Sequence, residues 1–310
     1  MADAPRPALI GLDWGTTSAR AYLIGPDGAV IEQQASDDGI LSVQDGDFEA
    51  VFERLLAPWF ASHEGLPIIA SGMITSRNGW VETPYLQPPA GAEEFAHALR
   101  PYVTAAAHRL HFVTGLSTED EAGAPDVLRG EETEILGHLA ADDADQNTRL
   151  YVVPGTHSKW VEVSDGQLRG FSTYVTGELF AVLKAHSILG RLTADGPFSP
   201  TGFDAGAKVG LETGADLLHA LFATRTLPLF ERLTPVESAD YLSGLLIGAE
   251  VAAGLRGRAD GVSVTVIGKD AVVERYVRVL EVAGAKADRA EQAMVARGHW
   301  EIAHRAGLIS

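Results

Sequence analysis

Leu9-Ile10-Gly11-Leu12-Asp13-Trp14-Gly15-Thr16-Thr17-Ser18-Ala19-Arg20-Ala21-Tyr22-Leu23-Ile24 reads as strand, turn, strand, and Leu150-Tyr151-Val152-Val153-Pro154-Gly155-Thr156-His157-Ser158-Lys159-Trp160-Val161-Glu162-Val163 repeats that plan at an offset of 140 residues. Gly15, Thr16 and Ser18 recur as Gly155, Thr156 and Ser158. Each turn continues into a third short strand, Ala29 to Gln33 and Gln167 to Ser172, through Pro26-Asp27-Gly28 and Ser164-Asp165-Gly166. Pro presets φ and Gly accepts positive φ in such turns. Taken singly, the Gly15-Thr16-Thr17-Ser18 turn is also a plain tight turn. Its repetition favours phosphate binding, because Gly admits a close backbone approach while successive N–H groups and hydroxyls donate to phosphate oxygens. Asp13, at the end of the first strand, suits magnesium held through water. In the second copy His157 and Lys159 add donors.

Two copies of one supersecondary unit imply two lobes rather than a solenoid, which needs more and shorter repeats. Amphipathic or apolar helices are expected over Asp47–Ser62, Glu131–Ala140, Gly177–Leu189, Ala215–Ala223, Ser238–Leu255, Ala271–Val282 and Ala290–Ala303, with Asp47 as a cap. Strands are expected at Pro67–Ala70, His111–Val113 and Val262–Ile267. Strands interleaved with helices define an α/β fold. The stretches 141–148 and 194–206 read as loops. The first of these divides the chain into lobes 1–148 and 149–310, the hairpins facing a central cleft.

The 310 residues suit about two domains. Lys and Arg total 24 against 42 Asp and Glu, a formal charge of −18 that argues against nucleic acid and anionic membrane surfaces. Residues 1–150 hold 8 Arg, no Lys and 24 acids; the second half holds 16 bases and 18 acids. No cysteine is present, which excludes disulfides, thiolate metal sites and thiol nucleophiles. The N-terminus lacks a signal-like apolar run, and the most apolar later stretch is broken by Asp240 and Glu250. A cytoplasmic protein without a spanning helix is expected, with monomer and homodimer both open.

Competing nucleotide and hydrolase motifs fail. Gly268-Lys269 is followed by Asp270, and Ser263 stands where the first Gly of a Gly-x-x-x-x-Gly-Lys-[Ser/Thr] loop belongs. Gly-x-Gly-x-x-Gly after the first strand, His-Glu-x-x-His and Gly-x-Ser-x-Gly are absent. The duplicated hairpins together with Val264-Thr265-Val266-Ile267-Gly268 instead resemble the phosphate-1, phosphate-2 and adenosine elements of the actin/hexokinase-type ATPase and sugar-kinase superfamily. More narrowly, the chain resembles the 2-dehydro-3-deoxygalactonokinase family along nearly its whole length. The residues behind this are Gly11 to Arg20, Ala70 to Trp80, Tyr85 to Gly91, Leu128 to Glu134, Val153 to Trp160 and Ser172 to Phe180.

That resemblance implies a two-lobed actin-like, ribonuclease H-like ATPase fold. It further implies ATP- and Mg²⁺-dependent phosphorylation of the 6-hydroxyl of 2-dehydro-3-deoxy-D-galactonate. Asp13, Gly15, Thr16, Thr17, Ser18, Gly155, Thr156, His157, Ser158, Lys159 and Gly268 are then the nucleotide residues, with Lys269 beside adenine. Relatives place an acid at a helix start between the hairpins. Glu131 and Glu132 occupy that place and point in different directions, so at most one is the base that accepts the hydroxyl proton. Glu131 is preferred; the alternative for the pair is a favourable interaction with the helix dipole. An acidic substrate meeting an acidic protein needs local cations. Arg77 is the expected carboxylate clamp, helped by Asn78, with Ser71, Met73, Arg129, Thr173 and Glu178 further substrate-side candidates. The rivals are a kinase of the gluconate epimer or another sugar acid, and a non-metabolic actin-like ATPase module.

Overall fold

The computed structural model describes residues 6–120, 122–141, 148–291 and 294–310. Residues 142–147, most of the stretch read as a loop between lobes, lie outside them. The chain divides into two compact units, Met1–Thr148 with Glu162–Phe171 and Ala293–Ser310, and Arg149–Val161 with Ser172–Gln292.

In the first unit, β1 (Leu9–Trp14), β2 (Ala19–Ile24), β3 (Val30–Ser36), β4 (Ile68–Ser71), β5 (Arg100–Val103) and β6 (Arg109–Phe112) form one sheet in the order β3-β2-β1-β4-β6-β5. Strands β1, β4 and β6 are parallel and the others antiparallel to their neighbours. Leu9, Ile10, Leu12 and Trp14 of β1 are all buried, as expected of a central strand covered on both faces. Two strands, β7 (Leu116–Glu119) and β8 (Pro125–Leu128), make a separate hairpin. The helices are α1 (Phe48–Phe60), α2 (Ala92–His97) and α3 (Glu131–Ala141). As expected, the Asp47 side chain caps α1 by accepting from Ala50 N at 3.1 Å. Phe48, Phe52 and Trp80 pack around Trp14 and Phe112, so Trp14 and Trp80 are core residues.

The second sheet contains β9 (Arg149–Val153), β10 (Ser158–Ser164), β11 (Gln167–Tyr174), β12 (Ser263–Val266) and β13 (Lys286–Arg289) in the order β11-β10-β9-β12-β13. β9, β12 and β13 run parallel. Strands β3-β2-β1-β4-β6 of the first sheet stand in the same order as β11-β10-β9-β12-β13, the duplicated plan that the repeated turns suggest and that the resemblance to actin-like folds implies. The remaining helices are α4 (Thr176–His186), α5 (Pro200–Thr213), α6 (Leu217–Ala220), α7 (Ala223–Leu229), α8 (Pro235–Gly254) and α9 (Asp270–Val282) of this second unit, and α10 (Met294–Arg305), which belongs to the first. No described helix is long and apolar enough to cross a membrane.

Two sequence readings are corrected. Residues 194–206 contain the start of a helix: α5 begins at Pro200, and Ser199 caps it by accepting from Gly202 N. Residues 215–223 are not one helix, because Gly214 at φ 50° and a short 3-10 turn precede two separate pieces, α6 and α7. The glycines that suggested a loop are packing residues. Gly202, Gly206 and Gly210 of α5 lie against the backbone of α8, whose Gly244 and Gly248 lie against α5. A Cβ at any of them would overlap the facing backbone. Gly206→Val is therefore expected to cost roughly 3 kcal/mol or more, since a rigid helix backbone cannot yield to the added volume. Gly170→Ala, in open space, serves as control. Matching urea midpoints for the two variants would show that α5 and α8 separate freely.

Candidate functional site

Three segments of the first unit meet at the carboxyl end of β1. Asp13, the penultimate residue of the strand, lies beside Ser71 of the parallel β4 in register. Gly72, at φ 92°, approaches Trp14 O and Asp13 Oδ1 so closely that a Cβ would contact both. Gly130, at φ 108°, packs on Gly72 and delivers Glu131 at the start of α3. Ligand sites of parallel sheets form at this end of the strands, where the chain turns away and leaves backbone groups free.

The electrostatics there are acidic. Asp13 keeps 24% of its side-chain surface exposed and lies 3.8 Å from Arg20, its cross-strand partner. Burial pushes Asp13 up to about 6; Arg20 opposes the shift and Glu131 adds to it. Burial likewise raises Glu134, one turn beyond Glu131, to about 8, with Asp13 and Glu131 contributing. Glu132 is buried and rises to about 7, by desolvation first and Glu131 second. Its two oxygens accept from Gly130 N at 2.6 Å and Thr133 Oγ1 at 3.0 Å. Glu132 is thus committed to the helix start. Glu131 stays partly exposed, with Oε2 accepting from Arg129 N at 2.9 Å.

The turn after β1 is closed by Gly15 N donating to Ser18 O at 2.9 Å. Its outward carbonyls are covered: Gly15 O accepts from Ile40 N and Thr16 O from Leu41 N. The N–H groups of Thr16, Thr17 and Ser18 have no acceptor among the described residues, which leaves the turn a set of donors for an anion.

Several residues expected on the substrate side have other partners. Ser71 is fully buried and hydrogen-bonds His299 Nε2 of α10 at 2.8 Å. Burial drives that imidazole down to about 3, so it is neutral. Met73 packs against the hydrophobic core. Arg129 is buried, its Nη1 donating to Thr75 and Thr83 hydroxyls at 2.6 Å each and Nη2 to Thr83 O, while the guanidinium lies 4.3 Å from the Tyr85 ring centre. It therefore fixes the 73–85 segment. Arg77 and Asn78, on that segment, are exposed, and Arg77 has no ion-pair partner among the described residues.

The second unit carries the Gly155-Thr156-His157-Ser158 turn. Thr156 O accepts from Glu178 N at 2.9 Å, and Gly177 lies flush on Gly155 and Thr156. The N–H groups of Gly155, Thr156 and His157 have no acceptor among the described residues. Glu178 pairs with His157 at 2.6 Å, which puts it at this turn. Lys159 is buried and donates to Thr173 Oγ1 at 2.7 Å. Ser158 is buried, its hydroxyl 2.8 Å from Tyr276 Oη; its side chain is turned inward, away from the exposed face of the turn. Gly268, after β12, packs beside Pro154.

Sequence reasoning missed Glu134, His299, Tyr276 and Glu250. Only Glu134 had a local signal, its helical spacing three residues after Glu131.

A family model described as 2-keto-3-deoxy-galactonokinase matches residues 13–302. The chain is 33% identical over 302 residues to the "Probable 2-dehydro-3-deoxygalactonokinase" of Rhizobium meliloti strain 1021, covering 94% of this chain and 97% of that one. It is 32% identical over 275 residues to the 2-dehydro-3-deoxygalactonokinase of Escherichia coli strain K12, covering 89% and 90%. A crystal structure from Sinorhizobium meliloti, assigned to a 2-dehydro-3-deoxygalactonokinase, superimposes with a TM-score of 0.85 at 34% identity, covering 96% and 98%.

Proposed function

Because the chain belongs to the 2-keto-3-deoxy-galactonokinase family, we propose that Glu131 is the base and Asp13 the magnesium-side acid of its phosphoryl transfer. The protein is a kinase of galactonate catabolism that phosphorylates 2-dehydro-3-deoxygalactonate with ATP as donor. The observation that carries the residue assignment is the separation of the paired glutamates: Glu132 is buried with both oxygens occupied, while Glu131 stays partly exposed within electrostatic reach of Asp13.

In this reading the acceptor is the 6-hydroxyl. Its proton passes to Glu131 as the oxygen bonds to the γ-phosphorus, the bond to the β-phosphate oxygen breaks, and ADP leaves with the electron pair. Free N–H groups of the 15–18 and 155–158 turns are assigned to the phosphates, and Gly268 to the adenosine side.

Magnesium suits the carboxylates present. Among the described residues no three acids or imidazoles are arranged as a metal cage, and Mg²⁺ on a nucleotide needs only one or two carboxylates, with phosphates and water completing its shell. Asp13 would hold it, and a cation would offset the burial and the Glu131 charge that together raise Asp13. When bound, the ion neutralises charge developing on the phosphate oxygens.

For the substrate carboxylate we assign Arg77, with Asn78 on a hydroxyl and Arg129 fixing their segment from beneath. Arg77→Lys keeps the charge but loses the fork, so KM for the keto acid should rise about tenfold and KM for ATP should not change. An unchanged keto-acid KM removes Arg77 from the site. The same ADP-release assay, run on the galactonate and gluconate epimers, tests the substrate: kcat/KM should favour the galactonate compound. We place the enzyme in the cytoplasm, where its nucleotide is supplied; light scattering would distinguish monomer from homodimer.

A further inference from the structure

A buried carboxylate in the second unit has no part in the chemistry above. Glu250, on α8, is 3% exposed in an otherwise apolar core. Its Oε1 accepts from Trp160 Nε1 at 2.8 Å and its Oε2 from Tyr276 Oη at 2.7 Å. Hydroxyls of Thr176 and Ser158 also bond it, and Ser158 reaches Tyr276 as well. Tyr276 gives its one proton to the carboxylate, and the single proton of Ser158 goes to the carboxylate or to Tyr276 Oη. Burying a carboxylate is costly unless donors surround it. Here they do, from three segments: Ser158 and Trp160 from β10, Thr176 from α4 and Tyr276 from α9.

Those segments share one property. Ser158 is the last residue of the Gly155–Ser158 turn, and Trp160 lies two residues further along β10. Thr176 opens α4, whose next residue, Gly177, lies flush on Gly155 and Thr156, and whose Glu178 donates its N–H to Thr156 O and pairs with His157. Tyr276 belongs to α9, which starts directly after Gly268 and Lys269. Strand β12 brings that start against β9, Ile267 N donating to Val152 O at 2.9 Å. Every element assigned above to the nucleotide in this unit is therefore tied to one carboxylate from behind.

We infer that Glu250 is a positioning residue for the nucleotide: with Tyr276 it sets the geometry of the Gly155–Ser158 turn and the start of α9, and so the affinity for Mg-ADP and Mg-ATP, without touching either. This rests on the assignment of that turn to phosphate. A network that only stabilised the fold would change folding and nucleotide affinity in no particular relation. A network that positions the turn loosens binding of one ligand only.

The test is titration calorimetry of Mg-ADP with the full-length wild type, Tyr276→Phe, Glu250→Gln and Val251→Ala, alongside thermal melts and the keto-acid KM. Val251 is fully buried next to Glu250 on α8 and lies outside the network. Tyr276→Phe removes one hydroxyl and keeps the ring, so it should fold even if Glu250→Gln does not. Its Kd for Mg-ADP should rise about tenfold, the loss typical of a supporting partner behind a ligand-binding group. Its keto-acid KM should stay within about twofold, as expected for a surface or distant change. Val251→Ala should lower the melting temperature at least as much and leave the Kd alone. Unchanged Mg-ADP affinity in Tyr276→Phe overturns the inference, as does an equal loss in Val251→Ala. If the wild type binds Mg-ADP but no keto acid stimulates ADP release, it is the substrate reading that has failed, and the affinity comparison still decides this one.

Discussion

If Glu131 is the base, Glu131→Gln should lower kcat by about 10²- to 10⁴-fold, the usual worth of a general base, and should leave the Kd for Mg-ATP unchanged. Glutamine keeps the size and the acceptor oxygen for Arg129 N–H but cannot take the hydroxyl proton. The matched change at the neighbouring position separates the two glutamates. Glu132→Gln can keep its oxygen on the Gly130 N–H and donate its amide to the Thr133 hydroxyl, which accepts as well as donates. Both contacts survive, so kcat and the melting temperature should change little. Single-turnover rates and melts on both variants check this. Near-wild-type turnover for Glu131→Gln, with turnover abolished in a folded Glu132→Gln, would transfer the base to Glu132.

The division between those two residues shows what the sequence could tell. Helical spacing says that adjacent glutamates point in different directions, and no more. The choice depends on the Gly130 N–H and the Thr133 hydroxyl, which appear only once the chain is folded. The hairpins were legible because Gly and hydroxyl residues at a turn carry their chemistry locally, and the exact repeat supplied a second reading. Ser71, Ser158 and Thr173 were read by type as ligand donors. Their partners lie 228, 118 and 14 residues away, and pairing over such distances leaves no periodic trace. Strand β13, Lys-Ala-Asp-Arg, was invisible for a related reason: it is mostly exposed and lacks apolar alternation. The α5 glycines misled through composition, although their spacing of four, behind a Ser-Pro start, is the pattern of one helix face.

The second large effect is expected at Asp13. Asp13→Asn should abolish magnesium-dependent turnover and, in nucleotide-free protein, raise the melting temperature at pH 8. The sign follows from the direction of the shift. Asp13 rises from 3.8 to about 6 and Glu134 from 4.5 to about 8 on folding, with burial as the main cause. Between the two values of each group the folded state holds a proton that the unfolded chain has released. Stability contributed by these protons is full below the unfolded values and is lost as pH rises through about 6 and then about 8. At pH 8 Asp13 is ionised in a buried place beside Glu131, and the neutral amide removes first the desolvation cost and then that repulsion. The lost contact to Arg20 is a partly exposed pair at 3.8 Å, worth little. At pH 5 wild-type Asp13 is mostly protonated, so the two melts should converge. The same titration governs function in the opposite sense: only the ionised carboxylate can hold a cation, so wild-type kcat/KM for Mg-ATP should fall as pH drops through about 6. The nucleotide-saturated kcat should fall less, because the bound ion keeps Asp13 ionised. A variant that is less stable than wild type at pH 8, or that still turns over with magnesium, would show that Asp13 is a structural acid of the hairpin and does not serve the metal.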